Sequence, residues 1–290
     1  MTLTLEPKTS LDTEKLDRLI TQWLEEDMPS GDITTDSLFT QAKQCTGIIS
    51  SQQPLVVSGL HAAKRVFERL DPNMVFDALV DDGDCLSSNS DMVKLSGDLN
   101  SILKAERLAL NLLQHLCGIA TLTYQYASTV ALTKAKILHT RKTLPGLRFL
   151  ETQAVVNGGG YFHRQSLSEF VMLKDNHIAA AGGNLIQAVQ TLRDNLPADK
   201  QNVKIEIECD RLEQVEQALK AGVDVILLDN MSLDMLRQAV KLVNGKALTE
   251  ASGGVSLKTV RQIAETDVDF ISTSQITLSA PAADIHLELS

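Results

Sequence analysis

The feature that most restricts this chain is a rhythm in its second half. Short apolar runs appear at KILHT (136–140), FVMLK (170–174), KIEIECD (204–210), VDVILLD (223–229), KALTEAS (246–252) and VDFIST (268–273). Between the later runs, residues 212–222, 233–245 and 257–267 place apolar side chains at i, i+3 and i+4, the signature of an amphipathic helix. Two of these stretches end in glycine, a common helix C-cap. Strand, short turn and helix, repeated roughly every 20 residues, specify βα units and a parallel sheet. Apolar strands and amphipathic helices predict a barrel with its helices outside; an open doubly wound sheet is the alternative.

The first half lacks this rhythm. Residues 15–27 predict an amphipathic helix, with GDITTDSL (31–38) following as a loop or cap. CTGIISSQQPLVVSGL (45–60) comes next, then 61–70 reads as helix, 74–86 as short strands and 101–132 as one long helical run. The expectation is therefore a smaller α+β domain over 1–116, with 279–290 as a candidate addition to it, and an α/β barrel over 117–278. No low-complexity linker separates the two.

Composition excludes several functions. A formal net charge of −10 opposes a general nucleic-acid-binding role, which needs a positive field. No apolar run approaches the roughly 18 residues of a membrane span. The N-terminus lacks the basic start and apolar core of a signal peptide, and its acids disfavour a transit peptide, so a cytoplasmic location is expected. Cys45, Cys85, Cys117 and Cys209 form no CxxC pair and are expected to be reduced thiols.

The polar residues fall at the carboxyl ends of the predicted strands. In order these are Arg141 and Lys142, Lys174, Glu208, Asp229, Ser252 with Gly253 and Gly254, and Thr273 with Ser274. That rim is where βα barrels assemble active sites. Between residues 134 and 174, seven Lys and Arg residues face only Glu151 and Glu169, a local charge of +5 in an acidic chain. Without interleaved aromatics, this cluster suits a small polyanion better than an oligonucleotide, because Arg pairs bidentately with carboxylate and phosphate. Glu208 and Asp229 end consecutive strands; they could bind Mg²⁺, hold ribose hydroxyls, offset a developing positive charge, or form ion pairs with Lys142 or Lys174. The SGG at 252–254 could present backbone N–H groups to a phosphate or merely turn the chain. VDDGD (80–84) reads as a turn between strands, GGG (158–160) as a helix end, and Arg107 as an exposed residue on a core helix.

EEDMPSGDITTDSL, AERLALNLLQHLCGIAT, HTRKTLPGLR, NGGGYFHR, VMLKDNHI, EIECD, ILLDNM, EASGG and the VDFIS strand together resemble the quinolinate phosphoribosyltransferases, a type II phosphoribosyltransferase family. The resemblance runs from about residue 20 to the C-terminus, in the family's order. It implies an incomplete, seven-stranded α/β barrel behind a smaller N-terminal α+β domain. It also implies transfer of phosphoribosyl from phosphoribosyl pyrophosphate to quinolinate with decarboxylation, using Mg²⁺, on the route to NAD. A homodimer with shared active sites would follow, Arg107 serving the partner's site, with higher assembly left open.

Position by position, the resemblance implies that Thr140, Arg141, Lys142, His163, Arg164 and Lys174 hold quinolinate's carboxylates and the pyrophosphate. Glu208 and Asp229 would hold ribose hydroxyls and the metal. Ser252, Gly253 and Gly254 would cradle the 5′-phosphate, beside Thr273, Ser274 and Gln275. Lys142, Lys174, Glu208 and Asp229 are the expected catalytic groups. Arg148 receives no role.

The departures from the family pattern cluster. Ser274 replaces a glycine and Leu278 a histidine; Phe162, Gln165 and Ser166 also differ from the usual residues. The side chain at 274 narrows the phosphate loop. That loop motivates a second reading, a paralogue that binds a phosphorylated ligand without turnover or with altered specificity. A third is an aldolase-like barrel using Lys174 as a Schiff-base amine.

Overall fold

In a computed structural model of the protein, residues 12–290 are described. They form two compact units, one comprising 12–124, 145–159 and 279–290, the other 125–144 and 160–278. The helix Leu99–Val130 runs without interruption from the first set of residues into the second.

The first unit contains β1 (Gln44–Ser51), β2 (Leu55–Val56), β3 (Val75–Ala78), β4 (Cys85–Leu86) and β5 (Ser90–Asp98). Its opening helix, Thr13–Asp27, starts where the Asp12 carboxylate accepts the Lys15 N–H at 3.0 Å. It buries Leu16, Ile20 and Leu24, one face of a 3.6-residue period; each such side chain contributes about 1.5–3 kcal/mol of apolar burial. GDITTDSL is a short helix, Ile33–Leu38, capped by Asp32 through the Thr34 and Thr35 N–H groups. VDDGD is a turn whose acids cap backbone: Asp82 accepts the Leu60 N–H and Asp84 that of Asp81. The first glycine of GGG ends the helix Arg148–Asn157, and a Cβ at Gly158 would run into the Ala120 carbonyl.

The second unit is a six-stranded parallel sheet. Its strands are β6 (Lys136–Leu138), β7 (Val171–Leu173), β8 (Ile205–Cys209), β9 (Val225–Asp229), β10 (Leu248–Ser252) and β11 (Phe270–Ser272), in the order β6-β11-β10-β9-β8-β7. All six lie within the six apolar runs. Tyr161 makes only an isolated parallel bridge to Leu138 of β6, so among the described residues the sheet has six strands where seven were expected. Helices Leu212–Ala221 and Leu233–Val243 fill the expected intervals, whereas 257–267 contains only Val260–Ala264 as helix. Helices Asp175–Ala180 and Leu185–Asn195, and β5 in the first unit, lie outside the sequence reading.

The last strand, β12 (Ile285–Leu289), returns to the first unit. It pairs antiparallel with β1 and gives the sheet order β12-β1-β5-β3. Among the described residues no helix is long and apolar enough to cross a membrane. All four cysteines are free. Burial pushes the thiols of Cys117 and Cys209 up to about 12, with Cys209 also raised by nearby carboxylates, which removes both as neutral-pH nucleophiles.

Candidate active site

Every strand of the parallel sheet sends a residue, from its carboxyl end or just beyond, into one cavity of about 790 Å³. The sheet therefore curls around a mouth, as a barrel does even when incomplete. Side chains two apart on a strand share a face, so the lining has two layers. Lys174, Glu208, Asp229 and Ser252 form the rim; Met172, Leu227 and Glu250 line the cavity two residues deeper, and Glu206, two residues before Glu208, lies at the same level without lining it. The register agrees, pairing Met172 with Glu206 and Leu227 with Glu250.

On the rim, Lys174 Nζ lies 2.6 Å from Glu208 Oε2, with Lys174 about half exposed. Asp229 holds its proton above the ordinary aspartate range, because burial and the neighbouring Glu208 charge outweigh the Asn230 hydrogen bond and the cations Lys174 and Lys142. Two mutually repelling carboxylates with hard oxygen donors are chemically suited to a divalent cation. Asn230, in the left-handed region at φ 53°, donates its N–H to the Ser252 carbonyl at 2.9 Å and its amide to Asp229 at 2.7 Å. Gly253 sits at φ 87°, and a Cβ there would collide with the Asn230 side chain. Glycine is thus required both by the backbone conformation and by space.

Beyond β6, Thr140 Oγ1 accepts the Lys142 N–H at 3.1 Å, and Thr277 Oγ1 donates to the Lys142 carbonyl at 2.7 Å. These bonds fix the backbone that carries Arg141 and Lys142 into the cavity. Beyond β11, Thr273 Oγ1 accepts the Gln275 N–H at 3.2 Å, holding the loop that contains Ser274. Arg164 is buried, 7% exposed, and donates to the Phe170 carbonyl and to the Met172 sulfur, each at 3.2 Å. Phe162, one of the departures, is also buried, its ring edge-on to His139 with centroids 5.6 Å apart. Leu278 is 52% exposed.

Sequence reasoning missed the layer below the rim. Glu206 and Glu250 are 1% and 2% exposed, with their Oε2 atoms 3.4 Å and 3.3 Å from His163 Nε2. Burial and the charge of Glu250 raise Glu206 to about 7, opposed by His163. Burial opposes charge on His163 too, but the two carboxylates overcome it and raise the imidazole to about 10. Glu250 moves the other way: hydrogen bonds and the His163 charge outweigh its burial and lower it. A second proton on His163 would sit on Nδ1, which accepts the Arg164 N–H at 2.8 Å, so the carboxylates' pull competes with that bond.

The structure gathers fourteen of the expected site residues into this lining: Thr140, Arg141, Lys142, His163, Arg164, Lys174, Glu208, Asp229, Ser252, Gly253, Gly254, Thr273, Ser274 and Gln275. Arg107 is the exception. It belongs to the first unit, exposed on the helix Leu99–Val130. Arg148 also belongs to the first unit, at the start of its helix.

Two sequence profiles match the chain: the quinolinate phosphoribosyl transferase N-terminal domain over residues 32–117 and C-terminal domain over 119–288. A probable nicotinate-nucleotide pyrophosphorylase (carboxylating) from Synechocystis is 41% identical over 277 residues, covering 94% of this chain and 92% of its own. One from Bacillus subtilis is 37% identical, covering 95% and 94%. The solved nicotinate-nucleotide pyrophosphorylase of Francisella tularensis superposes with a TM-score of 0.92 at 32% identity, over 99% of this chain and 100% of that one. The Ehrlichia chaffeensis structure gives 0.90 at 41% identity, over 98% and 100%.

Proposed function

The chain belongs to the quinolinate phosphoribosyltransferase family, and from that premise we propose that the cationic cavity of its parallel-sheet unit is where the reaction occurs. The enzyme transfers phosphoribosyl from phosphoribosyl pyrophosphate to quinolinate with decarboxylation, in de novo NAD biosynthesis. The observation that carries the site assignment is charge placement: Arg141, Lys142, Arg164 and Lys174 line the same cavity as Glu208 and Asp229.

The chemistry needs both signs. Quinolinate and the pyrophosphate are anions, and guanidinium and ammonium groups hold them where they react. As the pyridine nitrogen bonds to ribose C1, the C1–pyrophosphate bond breaks and positive charge grows on the sugar, which Glu208 and Asp229 face. In the product of that step the ring nitrogen is cationic. The C2–carboxylate bond then breaks, CO₂ leaves, the electron pair stays on C2 beside the charged nitrogen, and C2 takes up a proton. The glycine pair at 253–254 leaves space and backbone N–H groups for the 5′-phosphate, with Ser252, Thr273, Ser274 and Gln275 around it.

Mg²⁺ is the proposed cofactor, with Glu208 and Asp229 as its protein ligands; when bound it supplies charge neutralisation to the phosphate and hydroxyl oxygens. We assign the working form to a homodimer in the cytoplasm, where the exposed Arg107 completes the partner's site. Incubating the purified protein with quinolinate, phosphoribosyl pyrophosphate and Mg²⁺ should produce nicotinate mononucleotide, CO₂ and pyrophosphate. Quinolinate binding without product would replace this reading with that of a ligand-binding paralogue.

A further inference from the structure

The interior layer of an α/β barrel below its rim is normally filled by branched apolar side chains. Here two of its positions are glutamates, Glu206 and Glu250, and buried carboxylates are rare unless paired. Their common partner is His163, which enters from the segment after Tyr161 and presents Nε2 to both carboxylates.

The hydrogen bonds around His163 dictate its tautomer. A backbone N–H can only donate, so in the neutral ring the Arg164 N–H at 2.8 Å makes Nδ1 the acceptor and leaves the proton on Nε2, between the carboxylates. The same logic continues outward. The His163 backbone N–H donates to His139 Nε2 at 3.0 Å, so His139 carries its proton on Nδ1 and donates it to the Thr140 carbonyl at 3.2 Å. His139 itself is fully buried. A chain of contacts therefore starts at Glu206 and Glu250, whose Oε2 atoms lie at ion-pair distance from His163 Nε2 while neither Glu206 oxygen makes a hydrogen bond, and it continues from His163 in directed hydrogen bonds. One branch ends at the backbone of Arg164; the other runs through His139 to the segment bearing Arg141 and Lys142.

We propose that Glu206 and Glu250 are positioning residues that, by their ion-pair contacts with Nε2 of His163, hold the two cation-bearing segments 139–142 and 163–164 in register for the dicarboxylate substrate. This rests on the assignment of the cavity to quinolinate and phosphoribosyl pyrophosphate. The dicarboxylate is the ligand affected most because the cations on this network include the guanidiniums of Arg164, buried, and Arg141, half-buried. Planar forks of this kind match carboxylates bidentately. Lys174, by contrast, is held by Glu208 on the rim and stands outside the network.

The test separates positioning from mere structural support. Glu250→Ala should raise the KM for quinolinate on the order of 10-fold or more, the scale for losing a partner of a charged hydrogen bond, while the KM for phosphoribosyl pyrophosphate stays within about 3-fold. Glu250→Gln keeps an oxygen that can accept the Nε2–H and should recover most of the loss; Glu206→Ala and Glu206→Gln should behave in the same way. An unchanged quinolinate KM in both alanine variants, or equal rises for both substrates, would overturn the proposal. Nitrogen NMR of the wild-type imidazoles is independent of any variant's folding. It should find a proton on His163 Nε2 and on His139 Nδ1 near neutral pH, and a bare nitrogen at either position would sink the relay. If the wild-type protein makes no nicotinate mononucleotide, the functional reading fails first, and that result is distinct from each of these.

Discussion

Each unit of this protein buries a glutamate against a histidine, and the two arrangements are built for different ends. In the first unit, His115 Nε2 meets Glu151 Oε1 at 2.9 Å, an imidazole against a fully buried carboxylate, both on helices. In the second, one imidazole serves two buried carboxylates at 3.3 Å and 3.4 Å, beside a cavity. The His115–Glu151 contact joins two helices and ties them together. Two carboxylates on one imidazole leave a surplus of negative charge, which folding alone does not favour. Such unbalanced clusters occur where a site needs a group held in one orientation.

Three changes sharpen the contrast. The largest effect is expected at the cavity rim. Lys174→Ala should lower kcat/KM by on the order of 100-fold, as removal of a charged group facing the reacting anions does, with little loss of thermal stability because Lys174 is half exposed. A large stability loss with near-normal kinetics would erase the distinction between the units. Next, His115→Ala should do the reverse, destabilising the protein by about 1–3 kcal/mol in denaturant melts while the kinetic constants of the folded enzyme stay within about 2-fold. The smallest effect is a pH slope. His163 is raised to about 10, against about 6.5 for a free imidazole. Its ion-pair contribution is therefore complete below about pH 6.5 and lost as the pH rises through 10. Competition from the Arg164 N–H at Nδ1 keeps this near 1 kcal/mol in all. Glu250→Gln should flatten the slope, and a wild-type stability that does not fall between pH 7 and 10 would show His163 neutral throughout.

Much of the second unit was legible because its strands are short, apolar and regularly spaced, and because rim residues end them. KIEIECD (204–210) shows where that legibility stops. Glu208 was read from its place at the strand end, yet Glu206 lies two residues earlier on the same face and escaped notice. Position alone argues against burying a carboxylate, and the partner that permits it, His163, stands 43 residues earlier in the sequence. Glu250 was hidden in the same way, two residues before Ser252. Long-range pairing of this kind leaves no local periodicity. The helix Arg148–Asn157 was legible only at its GGG end, because its weakly amphipathic run leaves no clear apolar period. In the first unit, β5 pairs with both β1 and β3, and that central place was not evident from SDMVKLSGD, whose apolar and polar residues alternate imperfectly.

The pairing of β12 with β1 bears on how the protein is made. Ribosomes deliver a chain from its N-terminus, and domains commonly fold as they emerge. Here the four-stranded sheet cannot gain its last edge until residues 285–289 have been synthesised, since Ile285 to Leu289 are the partners of Ser51 to Gly47. Nascent β1 must therefore wait with one side unpaired while the whole parallel-sheet unit is translated. An unpaired edge is a surface for wrong associations, so β1 stays open to mispairing until residues 285–289 are made.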